Sequence, residues 1–404
     1  DSGGKQMELS KKAQRIEPSV TLEITAKAKE MKENGVDVIS FGAGESDFNT
    51  PKNIIDAAIK AMNDGNTKYT SVNGILPLRE AICKKFKEDN GLFYKPSQIV
   101  VSTGAKQSLA NTFLAILNPG DEVIVPTPYW VSYPELIKLA DGKPVFVKSD
   151  EKSDYKFTKE NLENVVSDKT KAIVLNTPNN PTGTIYSADE LKVIANFAKE
   201  HDLIIVSDEM YEKLIYDGEK HISIASISQD AYERTIVING LSKSYAMTGW
   251  RIGYCGASEK IAKLMTSIQS HVTSNVCSIT QYAAVEALNG PQDKVNEMIG
   301  EFEKRRNYMV DTIEGINNLS IIKPKGAFYI MINIEKCLGK EINGQILNDS
   351  MDFSAMLLEC EKVAVIPGKA FGLDHYVRVS YATSLDAIKE GLMRIKKFVD
   401  KLNS

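Results

Sequence analysis

Between about Thr50 and Asn289 the chain alternates stretches of helical period with short runs of β-branched and other apolar residues. That alternation restricts the fold more than any other feature. Candidate strands are Ile99–Ser102, Glu122–Pro126, Ala172–Leu175, Leu203–Ser207, Thr235–Asn239 and Ile252–Cys255. Between them lie helical stretches such as Gln107–Leu117 and Ala188–Glu200, the second preceded by Ser187 as a candidate N-cap. The pattern predicts an α/β fold with an open, mostly parallel sheet. In such sheets ligands bind beyond the carboxyl ends of the strands, so chemistry is sought in the segments that follow them.

The texture changes after Asn289-Gly290-Pro291, where a charged helix with Glu301, Glu303, Lys304, Arg305 and Arg306 leads into mixed α and β patterns. This predicts a second, smaller α+β domain. Val38–Phe41 reads as a strand that cannot stand alone, so the segment before Thr50 is expected to pack with it. The expected division is an N-terminal arm over 1–17, a small domain from 18–49 and 291–404, and a large ligand-binding domain over 50–290. No internal repeat or low-complexity region occurs.

Composition narrows the function classes. With 404 residues, 43% of them hydrophobic, the chain can bury a large core. Its 49 basic and 53 acidic residues are spread along the whole length, which leaves no basic footprint for nucleic acid and points to a small-molecule partner. Cys83, Cys255, Cys277, Cys337 and Cys360 show no metal-ligand spacing and are expected to be buried free thiols. No histidine belongs to an H-E-x-x-H helix, so no metal is expected. No run approaches the roughly 20 apolar residues of a membrane helix, and Asp1 to Lys12 is too polar for a signal peptide. A cytoplasmic protein is expected, with Asp1–Lys5 a remnant of processing or engineering.

The segments that follow the strands carry the candidate chemistry. Asn239-Gly240-Leu241-Ser242-Lys243 sets a lysine just past a strand, where its amine can form an imine; Arg251, eight residues on, is a fixed cation suited to a phosphate, and Ser242 offers it a hydroxyl. Ser207-Asp208-Glu209-Met210-Tyr211 puts a carboxylate at a strand end; held against a pyridine nitrogen it would keep that nitrogen protonated, and read alone it is a helix cap. Ser102-Thr103-Gly104-Ala105-Lys106 joins a strand to a helix and offers backbone N–H groups to an anion. Asn176 to Gly183 is rich in turn formers, and Trp130 by itself reads as a core aromatic. Val377-Arg378-Val379 alternates like a strand and turns a guanidinium to one side, where it can grip a carboxylate in two parallel bonds. Gly42-Ala43-Gly44-Glu45 lacks the third glycine and the βαβ unit of a dinucleotide loop.

Together these stretches, from about Pro18 to Tyr381, resemble the class I aminotransferases, fold type I pyridoxal phosphate enzymes, and most of all the bacterial-type aspartate aminotransferase subgroup. The resemblance implies a large domain with a mostly parallel seven-stranded sheet plus a smaller α+β domain. It implies pyridoxal 5'-phosphate held by Lys243, with Asp208 on the ring nitrogen, Tyr211 and Asn180 on the phenolic oxygen and Trp130 stacked on the ring face. Gly104, Ala105, Ser242 and Arg251 are implied to take the phosphate, joined by Tyr69 of a neighbouring subunit, so a homodimer with shared sites is expected. Arg378, Asn180 and the Gly44 backbone N–H are implied to bind the substrate α-carboxylate. Lys106, helped by hydroxyls of Ser19, Thr21 and Ser270, is implied to bind a distal carboxylate; the alternative is that Lys106 only steadies the phosphate. One departure is Gly240, where many relatives have a serine, so one phosphate hydroxyl is expected to be missing.

The activity this implies is ping-pong transfer of an amino group between amino acids and 2-oxo acids, aspartate and 2-oxoglutarate first. Prephenate or aromatic aminotransferase activity, a lyase of the same fold and cofactor, and a non-catalytic cofactor-binding regulator remain the alternatives.

Overall fold

The computed structural model describes Gly4 and residues 6–402, so most of the expected remnant Asp1–Lys5 lies outside the described residues. The strands in chain order begin with β1 (Ile39–Ser40), β2 (Ile99–Ser102), β3 (Glu122–Pro126), β4 (Lys143–Val147) and β5 (Thr170–Asn176). They continue with β6 (Ile204–Asp208), β7 (Thr235–Gly240) and β8 (Gly253–Gly256). Strands β2 to β8 form one seven-stranded sheet in the order β2-β8-β7-β6-β5-β3-β4. Every pairing from β7 to β4 is parallel, and β8 runs antiparallel between β7 and β2.

Both faces of this sheet are buried, which is why its strands read as continuous apolar runs. Ala172 and Val174 of β5 face one core with Val206 and Ile238, while Ile173 and Leu175 face another with Ile124 and Ile205. The helix Gly104–Ile116 covers the first face with Leu109, Phe113 and Ile116. Ala188–Glu200 covers the second with Leu191, Ile194, Ala195 and Ala198, a single stripe at helical spacing. Ser187 caps that helix as expected: its hydroxyl accepts from Glu190 N at 3.2 Å, and Glu190 Oε1 accepts from Ser187 N at 2.9 Å.

The C-terminal part builds on β9 (Ser320–Ile322), β10 (Tyr329–Asn333), the hairpin β11 (Glu341–Ile342) with β12 (Gln345–Ile346), β13 (Val363–Ala364), β14 (Ile366–Pro367) and β15 (Tyr376–Ser380). The order β14-β15-β10-β9 is an antiparallel sheet. The lone strand near Val38–Phe41 finds its partner here, β1 pairing in parallel with β13. The charged helix spans Asp293–Glu314, and two of its charges are buried. Arg306 holds Asp217 through two bonds at 2.7 and 2.9 Å, and Arg305 reaches Asp47 at 2.8 Å.

Two expectations need correction, and one strand was not anticipated. Strand β4 escaped the sequence pattern because it is an edge strand, with Lys143 and Phe146 exposed and Pro144 tolerated where no neighbour is needed on one side. The helix expected from Gln107 starts at Gly104, so Gly104, Ala105 and Lys106 form its first turn. The cysteines are all free, but only Cys255 and Cys337 are buried and Cys277 is exposed. Among the described residues no helix is long and apolar enough to cross a membrane.

One close approach locks the sheet to the helix Gly104–Ile116. A methyl group on Gly253, the first residue of β8, would lie 2.4 Å from Ala105 N and 2.7 Å from Gly104 C, both backbone atoms that cannot swing aside. Gly253→Ala is therefore expected to cost about 3 kcal/mol. A lowered midpoint of urea unfolding checks it; an unchanged midpoint would mean that this contact yields.

Candidate active site

Because β2, β7, β6, β5 and β3 point the same way, their carboxyl ends share one edge of the sheet, and antiparallel β8 brings its start to that edge. Each of the sequence-predicted segments is attached there. Gly104 follows β2, Trp130 follows β3, Asn180 follows β5, Asp208 ends β6, Lys243 follows β7 and Arg251 precedes β8. From the other side β15 contributes Arg378, and the loop after β1 contributes Gly44. They enclose a cavity of ≈ 340 Å³. Its wall includes Ser19, Thr21, Gly44, Ala105, Lys106, Trp130, Asn180, Asp208, Tyr211, Ser242, Lys243, Arg251 and Arg378. Gly104 sits just behind, against Arg251. Tyr69 and Ser270 are exposed and do not line the cavity of their own chain.

At the floor, Asp208 ends β6 with its carboxylate held by two donors. Tyr133 Oη donates to Oδ2 at 2.6 Å and Met210 N to Oδ1 at 3.2 Å. Burial pushes the Asp208 carboxyl up to about 6, with the Tyr133 bond acting against it. Lys243 turns its amine to the Gly44 carbonyl oxygen. Burial, then the Arg378 charge, bring that amine down to about 8, so a reactive neutral fraction exists near neutral pH.

At one end the helix Gly104–Ile116 opens into the cavity. Its N-cap, Thr103, makes no side-chain cap bond, which leaves the first N–H groups available to an anion. Gly104 has a positive φ of 79°, and a methyl group there would come within 2.2 Å of Arg251 Nη2. Only glycine lets the guanidinium lie against the helix start. Lys106 Nζ lies 5.2 Å from the Trp130 ring centroid, and burial and then Arg251 lower its affinity for a proton. Opposite the first turn, the hydroxyls of Ser19 and Thr21 lie 3.0 Å apart at the start of the helix Val20–Glu33.

At the other end Arg378 is buried between the rings of Tyr329 and Phe371, with Cζ 4.1 and 4.9 Å from their centroids. Nη1 donates to Asn180 Oδ1 at 2.9 Å, while Nε is buried without a hydrogen-bond partner. An unsatisfied buried donor on a cation is a standing affinity for an anion. With its oxygen committed to Arg378, Asn180 keeps its amide N–H groups for something else in the cavity.

Sequence reasoning missed Tyr133, Asn176 and Tyr329. Asn176 ends β5 and ties itself to the Asp208 carbonyl at 3.1 Å; Tyr329 bonds the Tyr211 hydroxyl at 2.8 Å. Tyr133 lies three residues after Trp130, and nothing in that stretch pairs it with Asp208. Tyr329 belongs to a separate run, Gly326-Ala327-Phe328-Tyr329, and only the register of β10 on β15 brings it to Arg378.

Comparison with known proteins agrees with this arrangement. The family model for aminotransferase class I and II matches residues 36–395. The aspartate aminotransferase of Bacillus subtilis (strain 168) is 51% identical over 399 residues, covering 98% of this chain and all of that one. A probable aspartate/prephenate aminotransferase of Rickettsia bellii (strain RML369-C) is 48% identical over 95% of this chain and 96% of its own. Among solved structures, the aspartate aminotransferase from Rhizobium meliloti superposes with a TM-score of 0.95 at 42% identity, over 98% of this chain and all of that one. That from Thermus thermophilus with maleate gives 0.92 at 38%, over 97% of this chain and all of its own. The chain belongs to the class I and II aminotransferases.

Proposed function

We propose that the protein is an aspartate:2-oxoglutarate aminotransferase that carries pyridoxal 5'-phosphate on Lys243. The observation that carries this reading is the pairing, in one cavity, of a buried lysine amine lowered to about 8 with an arginine whose buried Nε has no partner. The residues present fit the cofactor. The uncapped start of the helix Gly104–Ile116 with Arg251 suits a phosphate dianion, and Asp208 suits a protonated ring nitrogen. When bound, the cofactor supplies an electron sink conjugated to the substrate Cα.

The chain's own groups do the rest. Arg378 fixes the α-carboxylate and so sets the rotation of the amino acid. Lys243 moves the proton at Cα, because its lowered proton affinity lets it act as base and then as acid near neutral pH. Tyr133 holds Asp208 in place, so that Asp208 keeps the ring nitrogen protonated. With the cofactor bound, Asn180, through its free N–H groups, and Tyr211 would serve as donors to its phenolic oxygen, and Trp130 would cover its ring. The large and small parts anticipated from the sequence, 50–290 against 18–49 with 291–404, are taken as the two walls of this site. Tyr69, 89% exposed on its own chain, is assigned to a neighbouring copy's phosphate, which makes the active unit a homodimer. The exposed row Ile55, Ile59 and Met62 on the helix Lys52–Asn63 gives a second copy an apolar surface to cover.

Lys106 sets the substrate class. It faces the cavity together with the hydroxyls of Ser19 and Thr21, and Ser270 of a neighbouring copy is assigned to the same group. A charged hydrogen bond is worth roughly 1.5–3 kcal/mol, or about 10- to 150-fold. Lys106→Ala is thus expected to lower kcat/KM for aspartate by that factor while an aromatic donor loses far less. Equal losses for both would return Lys106 to a phosphate role. The covalent link has its own check: borohydride reduction of the cofactor-loaded protein is expected to label Lys243, and Lys243→Ala to abolish turnover. A label on any other lysine overturns the reading.

Asp208 shows what this arrangement costs. Its folded pKa, about 6, lies above the ordinary 3.8, so between those values the folded chain holds the proton more tightly than the unfolded one. Stability therefore falls as pH rises from about 4 to about 6 and stays lowered above that. In the cofactor-free protein Asp208→Asn is expected to gain about 1–2 kcal/mol at pH 7.5, after the loss of one acceptor, and to show no gain at pH 4. Thermal unfolding at the two pH values measures this, and a variant less stable than wild type at pH 7.5 would contradict it.

A further inference from the structure

We propose that Tyr329 is a positioning residue that orients the Tyr211 proton toward the cofactor and ties it to the substrate arginine. The inference rests on the reading that Tyr211 serves the cofactor's phenolic oxygen.

The register of the small sheet creates the arrangement. Tyr329 pairs with Ser380 and Met331 with Arg378, so Tyr329 and Arg378 are diagonal neighbours on one face of β10 and β15. The Arg378 guanidinium lies 4.1 Å from the Tyr329 ring centroid, and the Tyr329 hydroxyl lies 2.8 Å from that of Tyr211. The whole of Tyr329 is buried. One side chain thus touches both the group that binds the substrate carboxylate and the group assigned to the cofactor.

A phenol has a single proton to give. Burial, first of all, raises both phenols above their ordinary range, so each keeps its proton at neutral pH. Either can donate across the 2.8 Å contact. If Tyr211 donated to Tyr329, its proton would be unavailable to the cofactor. When Tyr329 donates instead, the Tyr211 proton is free to point into the cavity, and accepting a bond makes Tyr211 a stronger donor. Among the described residues the Tyr329 hydroxyl has no other side-chain partner, so Tyr211 is the acceptor open to it. The Arg378 charge eases loss of both phenol protons, but it lies directly against the Tyr329 ring and acts on Tyr329 more strongly, which makes Tyr329 the readier donor.

The test is spectroscopic. The lysine-bound cofactor changes its absorption band with pH, and donors to its phenolic oxygen favour loss of the imine proton, which lowers the midpoint of that change. Tyr329→Phe keeps the ring beneath Arg378 and removes only the hydroxyl. Its midpoint is expected to rise by about half a pH unit, while the dissociation constant for maleate, read from the same spectra, stays within about twofold of wild type. Tyr211→Phe is expected to raise the midpoint further, and adding Tyr329→Phe to it to change nothing more. A Tyr329→Phe midpoint equal to wild type, or a full second shift in the double variant, overturns the inference and leaves the role of Tyr211 standing. If Tyr211→Phe alone leaves the midpoint unmoved, the assignment of Tyr211 fails and takes the inference with it.

Discussion

The site depends on one directional constraint: parallel strands all end on the same side. Five strands of the large sheet deliver their following segments to one edge, and the antiparallel β8 delivers its preceding segment there too. That reversal is what lets Lys243 and Arg251, eight residues apart, flank one cavity, since the chain leaves along β7 and returns along β8. The contact of Gly253 with the backbone of Gly104 and Ala105 then presses the returning strand against the helix whose N-terminus receives the anion. Fold and site are the same set of contacts viewed from two ends of the strands.

Charge balance explains what that cavity selects. Its wall carries the cations Lys106, Lys243, Arg251 and Arg378 against the carboxylates Asp208 and Glu45. Burial with mutual repulsion lowers the proton affinity of Lys243 and Lys106, and Glu45 only partly offsets it for Lys243. A surplus of positive charge around the cavity favours ligands with more than one negative charge, such as a phosphate ester and a dicarboxylic acid, over neutral ones. Burial does most to bring Lys243 to the proton affinity its task needs, and the same surplus of charge adds to it, so ligand selection and nucleophile activation share part of their cause.

Much of this was legible in the sequence, and the limits were physical. Strands β2 and β3 and the helix Ala188–Glu200 were readable to the residue because buried parallel strands and capped amphipathic helices carry strong local signals. Edge strand β4 carries neither continuous apolarity nor clean alternation, and it went unseen. The segments with Lys243, Asp208, Asn180 and Arg378 could be placed because each follows or lies on a strand. Their partners could not: Tyr133 on Asp208 and Tyr329 on Tyr211 join residues 75 and 118 positions apart, which no local pattern encodes. Tyr69 and Ser270 lie outside the cavity of one chain, so their assigned roles require a second copy.

The segment Asp208-Glu209-Met210-Tyr211-Glu212 shows how a site can be stiffened from behind. Asp208 and Tyr211 face the cavity, whereas Glu209 and Glu212 turn away into a buried polar network. Glu209 accepts from Ser207 at 2.8 Å and Ser223 at 2.9 Å and bonds His221 Nε2 at 2.7 Å; Glu212 pairs with Lys85 and accepts from Asn90 at 3.0 Å. Burial alone would drive the Glu212 carboxyl up, yet Lys85 and His221 overcome it and hold it down at about 2. For His221 burial works against the charge, and the bond to Glu209 outweighs it, so the imidazole is held above its ordinary proton affinity. Protonated, His221 with Lys85 balances the two carboxylates and leaves the network neutral. Buried charges paired in this way add little net stability, but breaking one pair is costly, so they restrict the backbone to one arrangement. Here that backbone is the one that holds Asp208 and Tyr211 in the cavity, which gives the network its use.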